Sequence, residues 1–230
     1  MENTIDEVQE LRVPYHSTEN KLNNSYVQTE MLAGESKHIQ DLHHKIGNQA
    51  QLVASIINLQ KNHAQDLGTL KHLDSLCERV HFIAFLERFV IRYRDGRTIP
   101  LKTFTEELIN EITRIGEQTN KASIKKRISE VHIQEKKAVA FGLFLFEAFG
   151  NAHKHAFLGK KNDHISVLLM PCGLGKCLVE ISDNGQGYDS HENNMGIGIS
   201  LMSALSHQLE GTVKTMCSNQ GTTVKLVFTL

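Results

Sequence analysis

The chain has 230 residues and a net charge of −1 with histidine neutral, and 40% of its residues are hydrophobic. It is long enough for one large or two small folded domains, and its near-neutral charge gives no basis for nucleic-acid binding. Its four cysteines form no C-x-x-C pair, no signal peptide opens the chain, and no apolar run reaches the ~18 residues of a membrane span. We therefore predict a cytoplasmic protein with reduced thiols, no zinc site and no membrane span.

Two helices are predicted within residues 34–97. In the first, over about residues 35–66, apolar residues follow a seven-residue repeat with spacings of three and four, namely Ile39, Leu42, Ile46, Val53 and Ile56. Such a stripe is typical of a helix that packs against another helix. Gly68 is predicted to interrupt the pattern. The second helix runs to about Arg94, and its predicted apolar face comprises Leu70, Leu73, Leu76, Cys77, Val80, Ile83, Ala84 and Phe85.

Two helices joined by a short connection form an antiparallel helical hairpin. A single hairpin cannot cover both of its apolar faces, whereas two copies packed as a four-helix bundle can. A two-fold pair is the commonest way to supply the second hairpin. Packing therefore predicts a homodimer with a dimeric four-helix bundle.

The pattern changes to alternating helices and strands in residues 98–230. Strands are predicted at 98–101, 123–131, 164–170, 176–183, 211–217 and 222–230, and helices at 104–115, 134–157 and 195–209. This order predicts an α/β sandwich, in which a mixed sheet is covered by helices on one face. The fold class is thus α+β with two domains, and the division lies near residues 95–100.

Three glycine segments carry the first functional signal. Asp183-Asn184-Gly185-Gln186-Gly187 follows an apolar strand, where a carboxylate can accept a hydrogen bond from an exocyclic amine such as that of adenine. Gly185 and Gly187 let the backbone turn and approach a base. Gly196-Ile197-Gly198 opens a helix, where exposed N–H groups and the helix dipole favour phosphate. Gly221-Thr222-Thr223 enters the last strand and is a weak signal alone.

A polar stripe on the long apolar helix is the fourth piece. Glu147, Asn151, Lys154 and His155 recur at spacings of three and four, so they share one helix face. The Asn151 amide oxygen suits Mg²⁺, which takes few protein ligands beside phosphate and water. Lys154 or His155 can meet phosphate oxygens.

In this order, the asparagine-bearing helix and the three glycine segments resemble the N box and the glycine boxes of the GHKL ATPase superfamily, which includes histidine kinases and gyrase-type topoisomerases. The resemblance implies a Bergerat-type sandwich that binds ATP with Mg²⁺. It implies Asp183 on the adenine amine, Asn151 on Mg²⁺, Gly196 and Gly198 near the phosphates, and Thr222 near the base.

The first helix contains the segment Asp41-Leu42-His43-His44-Lys45-Ile46-Gly47-Asn48. With the stripe residues turned inward, His44 is predicted to point outward, with Asn48 one turn away on the same face. A neutral imidazole nitrogen can attack a phosphate, and Asn48 can orient the ring or a water molecule.

This segment resembles the phosphoacceptor signature of the HWE and HisKA-type-2 histidine kinases, in which one or two histidines precede an arginine and an asparagine follows. The likeness extends from about residue 35 to 230. It implies that His44 is the phosphoacceptor, preferred over His43 because His44 directly precedes the basic residue. Lys45 stands where the family usually has arginine, and Phe149-Gly150 where it usually has Val-Thr.

Together these features predict a two-component sensor histidine kinase core. It would phosphorylate itself on His44 from Mg·ATP, with Asn48 and Glu147 as further catalytic residues, and pass the group to an aspartate of a response regulator receiver domain. A separate sensor protein is a further candidate partner, and residues 1–33 are a polar lead-in. Two alternatives stay open: a non-catalytic histidine phosphotransfer protein with a vestigial ATP-binding domain, and an ATP-driven clamp or serine kinase.

Overall fold

The computed structural model describes residues 45–93, 98–116, 122–155, 163–185, 187 and 197–230, without the side chains of residues 115, 116, 154 and 155. By its contacts the chain forms two compact units, residues 1–52 and residues 53–230. In the first unit the described residues are 45–52, and all of them are helical.

The helical hairpin lies at the start of the described chain. Its first helix, α1, covers residues 45–63, and its second, α2, is Leu67–Ile91. The break between them is set by Asp66, whose Oδ1 accepts a hydrogen bond from the Thr69 N–H at 2.7 Å and so caps α2. The prediction that Gly68 separates the helices is wrong, because Gly68 lies in the first turn of α2.

Ten further elements follow the hairpin. They are β1 (Thr98–Pro100), α3 (Leu101–Gly116), β2 (Ser123–Ile128), β3 (His132–Gln134), α4 (Glu135–His155), β4 (His164–Pro171), β5 (Lys176–Asp183), α5 (Ile197–Gln208), β6 (Thr212–Ser218) and β7 (Gly221–Thr229). β1 and β3 form a small antiparallel sheet, and β3 was not predicted. The main sheet has the order β2-β4-β5-β7-β6, with β2 and β4 parallel and the other pairs antiparallel.

The main sheet buries one face. Val167, Ile181 and Val224 lie side by side on β4, β5 and β7, and all three are buried. The opposite face carries the ion pair between Lys225 Nζ and Glu180 Oε2, at 2.8 Å. This alternation is the pattern of a sheet with one face on a core. The prediction of a helical hairpin followed by a mixed sheet is confirmed.

The C-terminal half of α2 belongs to the same core as the sheet. Phe82 is buried and its ring stacks on Phe146 of α4 at a centroid distance of 4.2 Å. Leu86 is fully buried beside Gly142 of α4, where an added Cβ would lie 2.5 Å from Leu86 Cδ2. The absence of a side chain at Gly142 therefore lets the two helices approach closely.

The buried residues of α2 coincide only in part with its predicted apolar face. Its buried residues are Phe82, Ala84, Leu86, Phe89 and Val90. Of the predicted apolar face, Ala84 is buried, whereas Leu76 and Ile83 are 45% and 37% exposed. Val53 and Ile56 of the α1 stripe are also exposed, at 44% and 52%. The hairpin thus has apolar residues on two sides, and the described residues cover one of them.

Candidate functional site

Asp183 lies at the end of β5 and joins two of the glycine segments. Its Oδ1 accepts hydrogen bonds from the Gly185 N–H at 2.9 Å and from the Thr222 N–H at 3.2 Å. Both bonds use one oxygen and fix the carboxylate plane. Among the described residues nothing donates to Oδ2, which is the acceptor that the predicted adenine contact requires. Thr222 therefore contributes a backbone N–H that positions Asp183.

Two glycines make this arrangement possible. Gly221 has φ +128°, and a Cβ there would overlap the Asp183 carbonyl oxygen. Gly187 has φ +65°, and a Cβ there would overlap the Ser218 carbonyl oxygen. Both positions combine an unfavourable φ for L residues with direct backbone contact. The turn after β5 and the hairpin between β6 and β7 therefore pack backbone against backbone.

A second group of predicted residues meets where α5 begins. Glu147 and Asn151 are one turn apart on α4, and Gly198 is in the first turn of α5. A Cβ on Gly198 would lie 2.9 Å from Glu147 Oε2 and 3.6 Å from Asn151 Oδ1. The missing side chain thus leaves the N-terminal turn of α5 open beside a carboxylate and an amide.

This group has the chemistry that a Mg²⁺–phosphate unit needs. The half-buried Asn151 amide supplies a hard oxygen donor, and the N-terminus of α5 favours an anion. No cluster of three or more His, Cys, Asp or Glu among the described residues is placed to hold a metal. A Mg²⁺ ion here would rely on Asn151 together with phosphate and water, so the residues present fit the predicted ion.

Arg79 of α2 reaches into this group, and no sequence pattern had indicated it. Its Nε donates to Glu147 Oε1 at 2.6 Å and its Nη2 to Glu147 Oε2 at 2.8 Å, while Nη1 donates to Ser75 Oγ at 2.9 Å. The Arg79 side chain is 14% exposed and that of Glu147 4%. The bond to Glu147 raises the pKa of Arg79 above its ordinary value. Removing one partner of such a pair costs on the order of 3–5 kcal/mol.

Several predicted site residues are not placed. His44, His43 and Gly196 lie outside the described residues. Lys154 and His155 are the last residues of α4, and their side chains are outside the described part. Asn48 is exposed in the helix of the first unit. The roles predicted for these residues therefore stay predictions.

An open cavity of about 760 Å³ lies away from both groups. It is bounded by the C-terminal end of α2, by β1 and by the start of α4, and its charged residues are Glu87, Glu135 and Lys136. None of the predicted site residues lines it. The cavity is thus a separate feature of the surface.

The fold is similar to that of two solved histidine kinase structures. The chain is similar to the Erythrobacter litoralis EL346 blue-light activated histidine kinase, with a TM-score of 0.64 and 18% identity over 84% of this chain and 60% of that one. The histidine kinase domain from the same protein gives a TM-score of 0.59 and 15% identity over 77% of this chain and 95% of that one. The chain spans about 60% of the length of the first structure.

A family model matches part of the sequence. Residues 41–115 match the HisKA_2 model, whose description is histidine kinase. The resemblance to the HisKA-type-2 group is confirmed. No curated protein sequence matches the chain. Within the described residues, every helix is too short or too polar to cross a bilayer.

Proposed function

We propose that the chain is a protein-histidine kinase core that transfers the γ-phosphoryl group of Mg·ATP to His44. The observation that carries the proposal is the fixed carboxylate of Asp183, held through Oδ1 by the Gly185 and Thr222 N–H groups. A carboxylate locked at a strand end suits a single amine donor, and adenine offers one. The HisKA_2 match covers residues 41–115 and therefore includes His44.

The reaction needs little covalent chemistry from the protein. A neutral nitrogen of His44 attacks the γ-phosphorus, the bond to the β–γ bridging oxygen breaks, and ADP leaves. The imidazole proton passes to solvent or to a nearby base. Catalysis then consists of holding the nucleotide and neutralising its charge. Asn151 and the turn at Gly198 are suited to that task, because the Asn151 amide lies beside the first turn of α5, where a helix N-terminus favours an anion.

The partners follow from the same proposal. A phosphohistidine serves as donor to an aspartate on a response regulator receiver domain, as the HisKA_2 match supports. A second copy of the chain would cover the apolar residues that the hairpin leaves exposed, including Val53, Ile56 and Leu59. A separate sensor protein is the proposed source of the input signal.

Nucleotide binding is tested first, by thermal unfolding of the full chain with and without Mg·ATP. At a concentration of 100 times Kd, ligand binding adds about 2.7 kcal/mol, and for a chain of this size Tm rises by roughly 5–10 °C. Asp183→Asn is the matched variant, because its Oδ1 keeps both backbone bonds while its amide nitrogen faces the adenine amine. We expect the wild type to be stabilised and Asp183→Asn to lose most of the shift. A wild type without any shift at millimolar ATP refutes the kinase and favours a histidine phosphotransfer protein.

A further inference from the structure

Arg79 connects the helical hairpin to the group formed by Glu147, Asn151 and Gly198. It lies in none of the three glycine segments and is not on α4. It belongs to α2 and meets Glu147 through two hydrogen bonds of 2.6 and 2.8 Å. Both oxygens of Glu147 are thus engaged by one guanidinium. Planar two-point pairing of this kind fixes both side chains more firmly than a single contact does.

The position of Glu147 makes its charge matter for a bound phosphate. Its Oε2 would be 2.9 Å from a Cβ on Gly198, so the carboxylate lies directly beside the first turn of α5. The pair is largely shielded from water, and Glu147 is only 4% exposed. A carboxylate that lost its partner here would repel phosphate oxygens with little screening. The nucleotide site therefore depends on a residue of the hairpin for its charge balance.

We propose that Arg79 is a positioning residue for the nucleotide, which neutralises Glu147 next to Gly198 and so couples nucleotide affinity to the packing of α2 on α4. This inference rests on the proposed ATP function. By reciprocity, a bound nucleotide favours the arrangement in which α2 is docked and Arg79 is paired. The hairpin thus contributes to the ATP site through charge, without touching the nucleotide itself.

Four variants test this role through their affinities for Mg·ATP. The expected order of affinities follows only if Arg79 acts through its charge. Arg79→Met leaves a buried, unpaired carboxylate and is expected to weaken Mg·ATP binding at least tenfold. Arg79→Lys keeps one positive charge and should bind within about threefold of the wild type. Glu147→Gln removes the negative charge and keeps the positive one, so its affinity should equal or exceed that of the wild type. The double variant Arg79→Met/Glu147→Gln has neither charge and should recover to within about threefold.

The measurement is titration calorimetry of the full chain with Mg·ATP, at a temperature at which far-ultraviolet circular dichroism shows every variant folded. Arg92→Met is the matched control, because Arg92 makes an exposed ion pair with Glu107 at 3.1 Å at the end of the same helix. Its affinity should equal that of the wild type.

The inference is overturned if Arg79→Met binds as tightly as the wild type, or if the double variant stays as weak as Arg79→Met. The second result would indicate that Arg79 only holds α2 against α4, because Arg79→Met and the double variant both remove that contact. If Arg79→Met does not fold, the double variant decides: wild-type affinity supports the charge role, and a tenfold loss overturns it. A wild type that does not bind ATP refutes the proposed function as well, whereas normal wild-type binding with an insensitive Arg79→Met refutes this inference alone.

Discussion

The packing of α2 on α4 can be tested by exchanging volume between Leu86 and Gly142. Leu86 is fully buried, so Leu86→Ala should lower the free energy of unfolding by about 2–5 kcal/mol. Gly142→Ala adds a Cβ at 2.5 Å from Leu86 Cδ2 and 3.3 Å from Leu108 Cδ1, an overlap that costs about 1–3 kcal/mol. Replacing glycine within a helix returns about 1 kcal/mol, so the net loss for Gly142→Ala is roughly 0–2 kcal/mol.

The double variant carries the sharper prediction. In Leu86→Ala/Gly142→Ala the overlap with Leu86 is gone, the new methyl group fills part of the cavity, and the helix propensity gain remains. We expect it to be more stable than the sum of the two single variants predicts, by about 0.5–3 kcal/mol, the range of coupling between residues in contact.

Urea unfolding of the full chain measures these differences, followed by circular dichroism and analysed with a common m-value. Leu76→Ala on the same helix is the control, because Leu76 is 45% exposed and its truncation should cost less than about 1 kcal/mol. Single effects that add to within about 0.5 kcal/mol in the double variant would refute the contact between α2 and α4.

Three further predictions concern the turn, the helix cap and the thiols. Gly221→Ala forces a Cβ onto the Asp183 carbonyl oxygen at φ +128°, so it should lose both stability, by about 2 kcal/mol or more, and Mg·ATP affinity, as measured by urea unfolding and calorimetry. The hydrogen bond from Thr69 lowers the pKa of Asp66; the contribution of this carboxylate to stability is therefore complete above its ordinary pKa and is lost as the pH falls through the lowered value. Asp66→Asn keeps a capping oxygen and should remove that part of the acid dependence in unfolding curves between pH 2 and 6, so an unchanged curve contradicts the assignment. Burial raises the pKa of Cys177 to about 12, and iodoacetamide at pH 8 should therefore label the exposed Cys172 and leave Cys177 unmodified in peptide mass maps; rapid labelling of Cys177 would show that its strand opens.

The local pattern of apolar and polar residues was sufficient to predict the longer helices and strands. The strand predicted at 176–183 is β5, because apolar and polar residues alternate along it and only one face of the sheet is buried. β3 was missed because three residues with a single buried side chain, Ile133, give no measurable period. The boundary between α1 and α2 lies at Asp66 and not at Gly68, because a capping carboxylate fixes the start of a helix, whereas a glycine only weakens a helix.

Contacts between residues far apart in the sequence could not be predicted from the local pattern. The bond between Asp183 and Thr222 joins residues 39 positions apart, and only the order of the glycine segments suggested that they meet. Arg79 and Glu147 are 68 positions apart, and an arginine on a helix is usually a solvated residue. The residues by which α2 meets α4 were not predicted, because the helix has two apolar faces and the sequence does not state which one packs on α4.

The central claim is tested most directly by incubating the full chain with Mg·ATP labelled on the γ-phosphate. The wild type and His43→Ala should acquire label that is stable in alkali and lost in acid, as expected for a phosphoramidate. His44→Ala should acquire none, and Asp183→Asn much less than the wild type at the same ATP concentration. Label that persists in His44→Ala, or that survives acid as a serine ester does, would contradict the account.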